Sequence, residues 1–327
     1  MTQPRPEVSV VITAHNEAAH IAATLNALRR QSGLHRAEVV LVDDRSNDAT
    51  VAMAQATRLP GLLILHAAPD LTSSLTTRQQ ALDLGFRHAQ GSVIVTLDAD
   101  SHLPDGWLEA MTAPILNGSA DAVAGPVGFQ PTAGLIGGWQ SCDAAWYIQV
   151  CQAVTRLNIA GGVFFGNFAF RADLYAKVGG FPMIGMALTE DLAFARALQG
   201  SGALIVYGNG RQRVEVCAAP SALALVDRTL RVTRGRVSTL SVVLTLWPLS
   251  LLLALAAAMA GVPGATGWLL LRYLAGLFLL IGAGLRQNPA ALGHTPFYEP
   301  LVLVLASAAL IRRQVRRQIV WGGRHYD

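Results

Sequence analysis

The sequence has few charged residues, few cysteines and almost no lysine. Only 14% of its 327 residues are charged and 52% are apolar, which is too apolar for an ordinary soluble enzyme of this length. Lys177 is the only lysine among 25 basic residues, a bias that a GC-rich genome explains without any functional demand. The three cysteines show no Cys/His spacing typical of zinc, and we interpret them as buried small apolar side chains. The polar first seven residues predict no signal sequence.

The charges are divided unevenly along the chain. The first 210 residues carry a net charge of −5, whereas the residues from Arg211 onward contain thirteen arginines and four acids, a net charge of +9. The sequence pI near 9.2 therefore reflects the second part alone. Since these arginines flank long apolar runs, we interpret them as anchors on an anionic cytoplasmic membrane surface and exclude nucleic acid as a partner.

Three apolar runs follow in the last third of the chain. Residues 237–262 contain no charge, and residues 265–285 are interrupted only by Arg272. Each run reaches the roughly 20 residues that a bilayer crossing requires, so we predict two membrane spans. The third run, 298–311, is shorter and carries Glu299. Its length favours a re-entrant or interfacial segment, and the sequence leaves open whether it crosses.

Arginines on both sides of these runs predict the topology. One cluster precedes the first run at 228–236, and another follows the last run at 312–317. The positive-inside rule places both on the cytoplasmic side, which requires an even number of crossings. We therefore predict a multi-pass protein of the inner membrane with its soluble part in the cytoplasm. Arg272 is costly in lipid, and we expect it to snorkel to the membrane surface rather than to face a polar partner.

The first half of the chain alternates between two periodicities. Apolar and β-branched runs at 8–12, 37–42, 62–65 and 92–97 predict strands, and the segments 17–30, 48–58 and 79–89 show helical spacing. Strands separated by helices are typical of βαβ units. The predicted fold class is α/β, with a Rossmann-like, mainly parallel sheet followed by C-terminal transmembrane helices.

Two acidic signatures stand where such a fold builds a site. Asp98 and Asp100 end a strand at i and i+2, so both side chains point to the same side of the sheet at its carboxyl edge. Ligands bind at that edge in open α/β sheets, and hard oxygen donors suit Mg²⁺ or Mn²⁺ holding a substrate's phosphates. Glu190 and Asp191 precede a second helical segment. Asp191 is then free to act as a base.

Six short motifs in order resemble those of family 2 glycosyltransferases. They lie at 13–17 (TAHNE), 43–50 (DDRSNDAT), 98–100 (DAD), 166–171 (GNFAFR), 178–181 (VGGF) and 189–191 (TED). A single motif of this kind is weak, but the resemblance extends over about residues 7 to 236. It implies the GT-A fold, in which a single Rossmann-like domain binds a nucleotide sugar and its second half builds the acceptor site.

The resemblance also implies roles for residues on the donor side. Asp44 matches the contact to the nucleotide base, and Asp100 matches the principal metal ligand. Asp98 matches a residue that faces the ribose and the metal. Further nucleotide-sugar contacts are implied at Ala14, His15, Glu17 and Arg78. The residues alone leave alternatives open, because Asp44 and Asp48 could cap the following helix and Arg78 could be a solvated surface residue.

On the acceptor side, the resemblance assigns the general base to Asp191, with Glu190, Gly166 and Asn167 nearby. An inverting transfer needs such a base to remove the proton of the attacking hydroxyl. The alternative is that Glu190 and Asp191 only complement the dipole of a helix. Residues 228–232 read RTLRV where processive members carry Gln-x-x-Arg-Trp, so Arg231 matches an arginine near the diphosphate. The missing Trp favours transfer of a single sugar. An interfacial helix that binds lipid headgroups is the alternative.

The C-terminal segment is similar to that of lipid-modifying members of the family. Glu299-Pro300 and the terminal Trp-Gly-Gly-Arg-His-Tyr resemble the ceramide glucosyltransferase, hopanoid-associated and carotenoid glycosyltransferase groups. We therefore predict a metal-dependent inverting enzyme that moves one hexose from a nucleotide-diphosphate sugar, UDP in the first instance, to a membrane lipid hydroxyl. The alternatives are a polyprenyl-phosphate glycosyltransferase, a cell-surface polysaccharide glycosyltransferase and an inactive membrane scaffold.

This interpretation divides the chain into three regions. Residues 1–221 form the cytoplasmic catalytic domain, residues 222–236 an arginine-rich interfacial helix, and residues 237–327 the membrane region. It also makes a spatial prediction, namely that Asp100 with its divalent cation faces Asp191 across a gap the width of one sugar.

Overall fold

The computed structural model describes residues 5–68, 70, 72–159, 161–233, 239–315, 319–321 and 324–326. The side chains at 230–245, 290, 306, 310 and 313–326 lie outside this description. The chain forms two compact units. The first comprises the described residues of Met1–Gly128, Thr155–Cys217 and Val320–Tyr326, and the second those of Phe129–Val154 and Ala218–Ile319.

A seven-stranded mixed sheet forms the centre of the first unit, in the order β3-β2-β1-β4-β7-β5-β8. Its strands are β1 Val8–Ala14, β2 Ala37–Asp43, β3 Leu62–His66, β4 Val93–Asp98, β5 Ala122–Ala124, β7 Asn167–Arg171 and β8 Ile205–Tyr207. All pairings are parallel except those that β7 makes with β4 and β5. Two short strands, β6 Val127–Phe129 and β9 Val214–Val216, form a separate pair. The predicted α/β class with a mostly parallel sheet is confirmed.

The helices of this unit follow the predicted alternation. They are α1 Ile21–Arg29, α2 Thr50–Ala56, α3 Thr77–His88, α4 Trp107–Leu116, α6 Asp173–Lys177, α7 Gly180–Ile184 and α8 Glu190–Gly200. The predicted start of the first helix at Glu17 was wrong by one turn. The backbone N–H of Glu17 donates to Thr50 Oγ1 at 2.7 Å, and that of Ala18 donates to Asp48 Oδ2 at 3.1 Å. These bonds hold 17–20 as a turn beside the start of α2.

Alternate residues of the central strands pack on opposite faces of the sheet. Val10 and Ile12 pack with α1 and α4, whereas Val11 packs with α3 and α8. On the second face lies an aromatic cluster, in which Phe170 contacts Phe86 of α3 and Phe194 of α8 with ring centroids 5.4 and 5.0 Å apart. Such edge-to-face pairs stabilise beyond the area that they bury. The cluster fixes α3 and α8 on the same sheet.

In the part of the second unit that the structure describes, there are five α-helices and the short 3-10 helix Pro289–His294. The α-helices are α5 Gly134–Arg156, α9 Ala222–Thr233, α10 Thr239–Met259, α11 Ala265–Gln287 and α12 Thr295–Val315. Among the described residues, one helix, Ala265–Gln287, is long and apolar enough to cross a membrane, and the apolar stretch Leu246–Met259 is shorter. The short third run of the sequence belongs to the 21-residue helix α12. A multi-pass arrangement stays a prediction.

At the C-terminus, β10 Ile319–Trp321 pairs with β11 Arg324–Tyr326.

The prediction that Arg272 snorkels was wrong. Its side chain is 6% exposed and forms an ion pair with Glu299 of α12, Nη1 to Oε1 3.0 Å. Its Nε donates to Ser250 Oγ at 2.7 Å, and its guanidinium lies 3.8 Å from the centre of the Trp247 ring. Trp247 Nε1 also donates to Glu299 Oε1 at 2.8 Å. The sequence could not reveal this partner because Glu299 lies 27 residues away on another helix.

Candidate active site

The loops after β1 and β2 are joined at the carboxyl edge of the sheet. Asn16 and Arg45 both have positive φ, 59° and 61°, which is uncommon for residues with a Cβ. The backbone N–H of Asn16 donates to Ser46 Oγ and that of Asn47 to Asn16 Oδ1, both at 2.9 Å. The Asp44 N–H donates to the Ala14 carbonyl at 2.7 Å. Strained backbone held by so many bonds is a feature of functional sites.

Asp44 lies at the base of these loops and is buried. Its Oδ1 accepts a hydrogen bond from Arg45 Nε at 2.9 Å, and its carbonyl lies 2.6 Å from His15 Nδ1. Burial raises the pKa of Asp44, although the Arg45 guanidinium opposes the increase. Asp44 caps no helix, since α2 begins at Thr50 and Asp48 accepts the Thr50 N–H at 2.9 Å. The Asp44 side chain is instead paired with Arg45, whose Nη2 lies 2.7 Å from Asp44 Oδ1.

Three carboxylates crowd together at the end of β4. Burial and the negative charges of Asp100 and Asp98 together raise the pKa of Glu17 to about 7. Burial and the charge of Asp98 also raise the pKa of Asp100. Like charges held this close repel each other unless a proton or a cation joins them. The structure therefore brings negatively charged oxygen atoms together where the sequence predicted a metal site.

The donor set fits a cation that also binds phosphates. Within the described part of the chain, no three His, Cys, Asp or Glu side chains are placed to hold one metal ion by themselves. Mg²⁺ is typically bound by one or two carboxylates and completed by water and substrate phosphates, and Mn²⁺ takes the same oxygen donors. Asp98 and Asp100 supply such a pair, and both are partly exposed.

Arg78 joins the two acidic signatures. Its Nη2 donates to Asp98 Oδ1 at 2.8 Å, and its Nε lies 2.9 Å from Glu190 Oε1. A capping box between Thr76 and Gln79 fixes the start of α3, where Arg78 lies. The Arg78 side chain is 25% exposed. Burial lowers the pKa of its guanidinium, but Asp98 and Glu190 together produce a net increase. Arg78 thus has two carboxylate partners and is not a solvated surface residue.

Asp191 lies in the first turn of α8 and is half-buried. Its Oδ1 accepts the backbone N–H of Leu192 at 2.7 Å. Burial and the neighbouring Glu190 raise the pKa of Asp191 to about 7, whereas Arg78 opposes the increase. Asp98 also raises it, so the second signature is electrostatically coupled to the first. A carboxylate poised near neutral pH can take a proton from a hydroxyl.

Gly166 and Asn167, both expected on the acceptor side, have different surroundings. The acceptor-side role of Gly166 stays a prediction, whereas Asn167 is buried. A Cβ on Gly166 would overlap with Asp98 Oδ2, so this glycine allows the main chain to approach Asp98 closely. Asn167 is 0% exposed. Its Nδ2 donates to the carbonyls of Pro126 and Gln212 at 2.9 and 2.6 Å, and its Oδ1 accepts from Trp107 Nε1 at 3.0 Å. With its polar atoms bound inside the protein, Asn167 holds strand ends together instead of contacting an acceptor.

Two further groups contact the Asp100 loop, and the sequence did not reveal them. The backbone N–H of Cys217 donates to Asp100 Oδ2 at 3.0 Å. The hydroxyl of Thr24 donates to the carbonyl of Ala99 at 2.7 Å. Neither group leaves a sequence signal, because one is a main-chain amide and the other looks like an ordinary polar residue within a helix. Arg231 belongs to α9, and its side chain lies outside the described residues.

Comparison with known proteins places this geometry in a family. Residues 9–179 match the profile of "Glycosyl transferase family 2". The glycosyltransferase AglE of Haloferax volcanii is 30% identical over 186 residues, which cover 56% of this chain and 58% of that protein. The dolichol-phosphate mannosyltransferase of Pyrococcus furiosus is 30% identical over 119 residues, which cover 36% of this chain and 32% of that protein.

A solved structure shares the fold. The mannosyltransferase PcManGT of Pyrobaculum calidifontis, solved in complex with GDP-Man and Mn²⁺, superposes with a TM-score of 0.58 at 20% identity, covering 95% of this chain and 88% of that one. The chain spans 58% and 32% of the lengths of the two relatives above. Since the family profile covers more than half of the residues, this chain belongs to glycosyltransferase family 2.

Proposed function

We propose that this protein is a membrane-bound, metal-dependent inverting glycosyltransferase. It transfers one hexose from a nucleotide-diphosphate sugar to a lipid hydroxyl at the cytoplasmic face of the inner membrane. The donor that we propose is a UDP-sugar. The observation that carries the proposal is the ion-pair bridge of Arg78, which brings Asp98 and Glu190 into one site although they lie 92 residues apart in the sequence.

The donor side of the site is built from the edge of the sheet. Asp44 is the residue that would accept hydrogen bonds from a nucleotide base, and His15 and Glu17 lie in the adjoining loop. Asp98 and Asp100 are the residues that would hold Mg²⁺ or Mn²⁺. When bound, the cation supplies charge stabilisation for the departing diphosphate. Arg78 adds a fixed positive charge beside the same carboxylates.

The acceptor side depends on Asp191. Its carboxylate removes the proton of the acceptor hydroxyl while the hydroxyl oxygen bonds to the anomeric carbon and the bond to the nucleotide diphosphate breaks. A pKa of about 7 suits this role, because a useful fraction is deprotonated at neutral pH and the group still binds a proton well. Glu190, held by Arg78, fixes the start of α8. Attack from the side opposite the leaving group inverts the anomeric centre.

A lipid acceptor is supported by the second unit. The helix Ala265–Gln287 has the length and composition of a membrane span, and the arginine-rich segments on either side of the apolar runs suit an anionic cytoplasmic surface. We propose residues 1–221 as the cytoplasmic catalytic domain, 222–236 as the interfacial helix and 237–327 as a multi-pass membrane region. An enzyme with this arrangement can bind acceptors whose polar end emerges from the bilayer.

Lipid mass spectrometry tests the proposal. Lipid extracts are compared from cells that lack the gene and from the same cells carrying the wild-type gene or the Asp100→Asn variant. The wild-type gene should restore a hexose-bearing lipid, and Asp100→Asn should not, although immunoblots show equal protein. Identical lipid profiles in all strains, together with no metal-dependent turnover of any nucleotide sugar by membranes, would favour an inactive scaffold.

A polyprenyl phosphate is the second candidate acceptor. It is favoured by the similarity to a protein named dolichol-phosphate mannosyltransferase. A phosphate acceptor is already ionised and needs little help from a base. Membranes carrying Asp191→Asn should therefore keep most of their turnover if the acceptor is a phosphate, and should lose it if the acceptor is a hydroxyl. The chemical class of the labelled lipid gives an independent answer.

A further inference from the structure

We propose that Thr24 and the backbone N–H of Cys217 are positioning groups that orient Asp100 for metal binding. The inference rests on the proposed metal-dependent transfer and adds to it two groups that act through Asp100. They approach the Asp100 segment from different parts of the first unit. Thr24 lies on α1, and Cys217 directly follows the short strand β9.

Thr24 holds the main chain on both sides of Asp100. Its hydroxyl donates to the Ala99 carbonyl at 2.7 Å and lies 3.2 Å from the Ser101 carbonyl, and the side chain is 1% exposed. Asp100 lies between these two carbonyls in the sequence. The Cα positions of the loop are thus fixed from a rigid helix whose Leu25 and Leu28 are fully buried in the core.

The Cys217 N–H holds one oxygen of the carboxylate itself. It donates to Asp100 Oδ2 at 3.0 Å. The preceding residues run beside the loop after β4, since His102 and Glu215 exchange two backbone bonds of 2.7 and 3.1 Å. Val214 N donates to the Pro126 carbonyl at 3.0 Å, and Asn167 Nδ2 donates to the Gln212 carbonyl. The strand is therefore anchored at several points before it reaches Asp100.

These contacts leave Asp100 little freedom of rotation. The main-chain amide holds Oδ2, and Oδ1 is the oxygen that would bind a cation. Some groups hydrogen-bond to a metal ligand without touching the metal. Removing such a group commonly lowers metal affinity by roughly tenfold or more. A ligand that must be ordered at the moment of binding loses affinity through the entropy of that ordering.

The test of Thr24 uses Mn²⁺ alone, titrated into the detergent-solubilised full chain and followed by the electron paramagnetic resonance signal of free Mn²⁺. Thr24→Val removes the hydroxyl and keeps the shape, and it should weaken Mn²⁺ binding by about tenfold. Thr24→Ser keeps the hydroxyl and should bind as the wild type does. Thr112→Val is the matched control, because Thr112 is equally buried and its hydroxyl donates to Leu108 within α4.

A second pair of variants tests the amide at 217. Cys217→Pro removes the N–H, and Cys217→Ala removes the thiol but keeps the N–H. We expect weaker Mn²⁺ binding for Pro and wild-type binding for Ala. Thermal unfolding measured on every variant separates loss of the fold from loss of orientation. Wild-type Mn²⁺ affinity in both Thr24→Val and Cys217→Pro would overturn the inference.

Asp100→Asn separates this inference from the proposed function. If it binds Mn²⁺ as tightly as the wild type, the metal site itself is placed wrongly. If it loses Mn²⁺ binding while folded Thr24→Val and Cys217→Pro retain it, the metal site stands and only the positioning role fails. If Thr24→Val and Thr112→Val lose affinity equally, the effect is a general consequence of a buried Thr→Val change, and the positioning role is again refuted.

Discussion

Glu190 Oε1 lies 2.9 Å from Nε of Arg78, whose Nη2 is bound at the same time to Asp98. One guanidinium thus connects the first turn of α8 to the end of β4. A planar, forked cation can serve two carboxylates in this way, and a lysine ammonium cannot reproduce the geometry. The relationship ties the donor side of the proposed site to its acceptor side.

Replacing Arg78 tests this bridge. Arg78→Met leaves Asp98 and Glu190 without their shared cation, so the pKa of Asp191 should rise further, because Arg78 opposes its increase in the wild type. We expect kcat/KM to fall at least about tenfold at pH 7 and the rising limb of the pH profile to move to higher pH. Arg78→Lys should recover only part of the activity. An unshifted pH profile in Arg78→Met would contradict the bridge.

Gly166→Ala tests the close approach at Asp98. A methyl group at this position overlaps with Asp98 Oδ2, so the carboxylate must move. We expect Mn²⁺-dependent turnover to fall about tenfold or more, in line with the cost of displacing a proposed metal ligand, with thermal unfolding little changed. Gly200→Ala is the control, since its added methyl meets no atom within 4 Å. Equal activity in the two variants would show that the close approach of Gly166 to Asp98 does not affect turnover.

The raised pKa of Asp191 also predicts how stability depends on pH. The folded protein keeps the proton up to about pH 7, whereas the unfolded chain releases it near the ordinary value of 3.8. The unfolded state therefore loses its proton first, and the contribution of this carboxyl to stability falls as pH rises between these values. Asp191→Asn removes this dependence. Its melting temperature relative to the wild type should increase from pH 5 to pH 8, and a constant difference would contradict the prediction.

The ion pair between Arg272 and Glu299 can be tested by a double-mutant cycle. Removing one partner leaves a buried charge alone, and breaking such pairs typically costs about 3–5 kcal/mol. Arg272→Met and Glu299→Gln should each lower the melting temperature in detergent. The double variant should be more stable than the sum of the two losses implies, because no charge is left unpaired. Additive losses would show that the two side chains act independently.

Local patterns in the sequence were sufficient for the strands and helices of the first unit. The apolar runs at 8–12 and 92–97 became β1 and β4, and the acidic signatures ended up at a strand end and a helix start as expected. These are properties of short segments, which periodicity and side-chain type determine. The family was recognisable because its motifs stand at such strand ends and keep their order.

Contacts between distant segments could not be predicted. Asn167 was expected beside an acceptor, but its amide is bound by Pro126, Gln212 and Trp107, none of which is near it in sequence. Arg272 was expected at the membrane surface, but Glu299 neutralises it in the protein interior. Main-chain donors such as the Cys217 N–H carry no side-chain signature at all. In each case the partner is determined by tertiary packing.

Asp191→Asn provides the most direct test of the central claim, that Asp191 removes the proton of a hydroxyl acceptor at a site shared with Asp98 and Asp100. Initial rates of labelled hexose transfer from a UDP-sugar to lipid are measured from pH 5 to pH 9, beside equilibrium binding of the same donor. The wild-type rate should rise through about pH 7, and the variant should bind the donor normally while its transfer falls by at least about a hundredfold, the lower end of what general-base catalysis contributes. Full transfer by the variant, with an unchanged pH profile, would contradict the account.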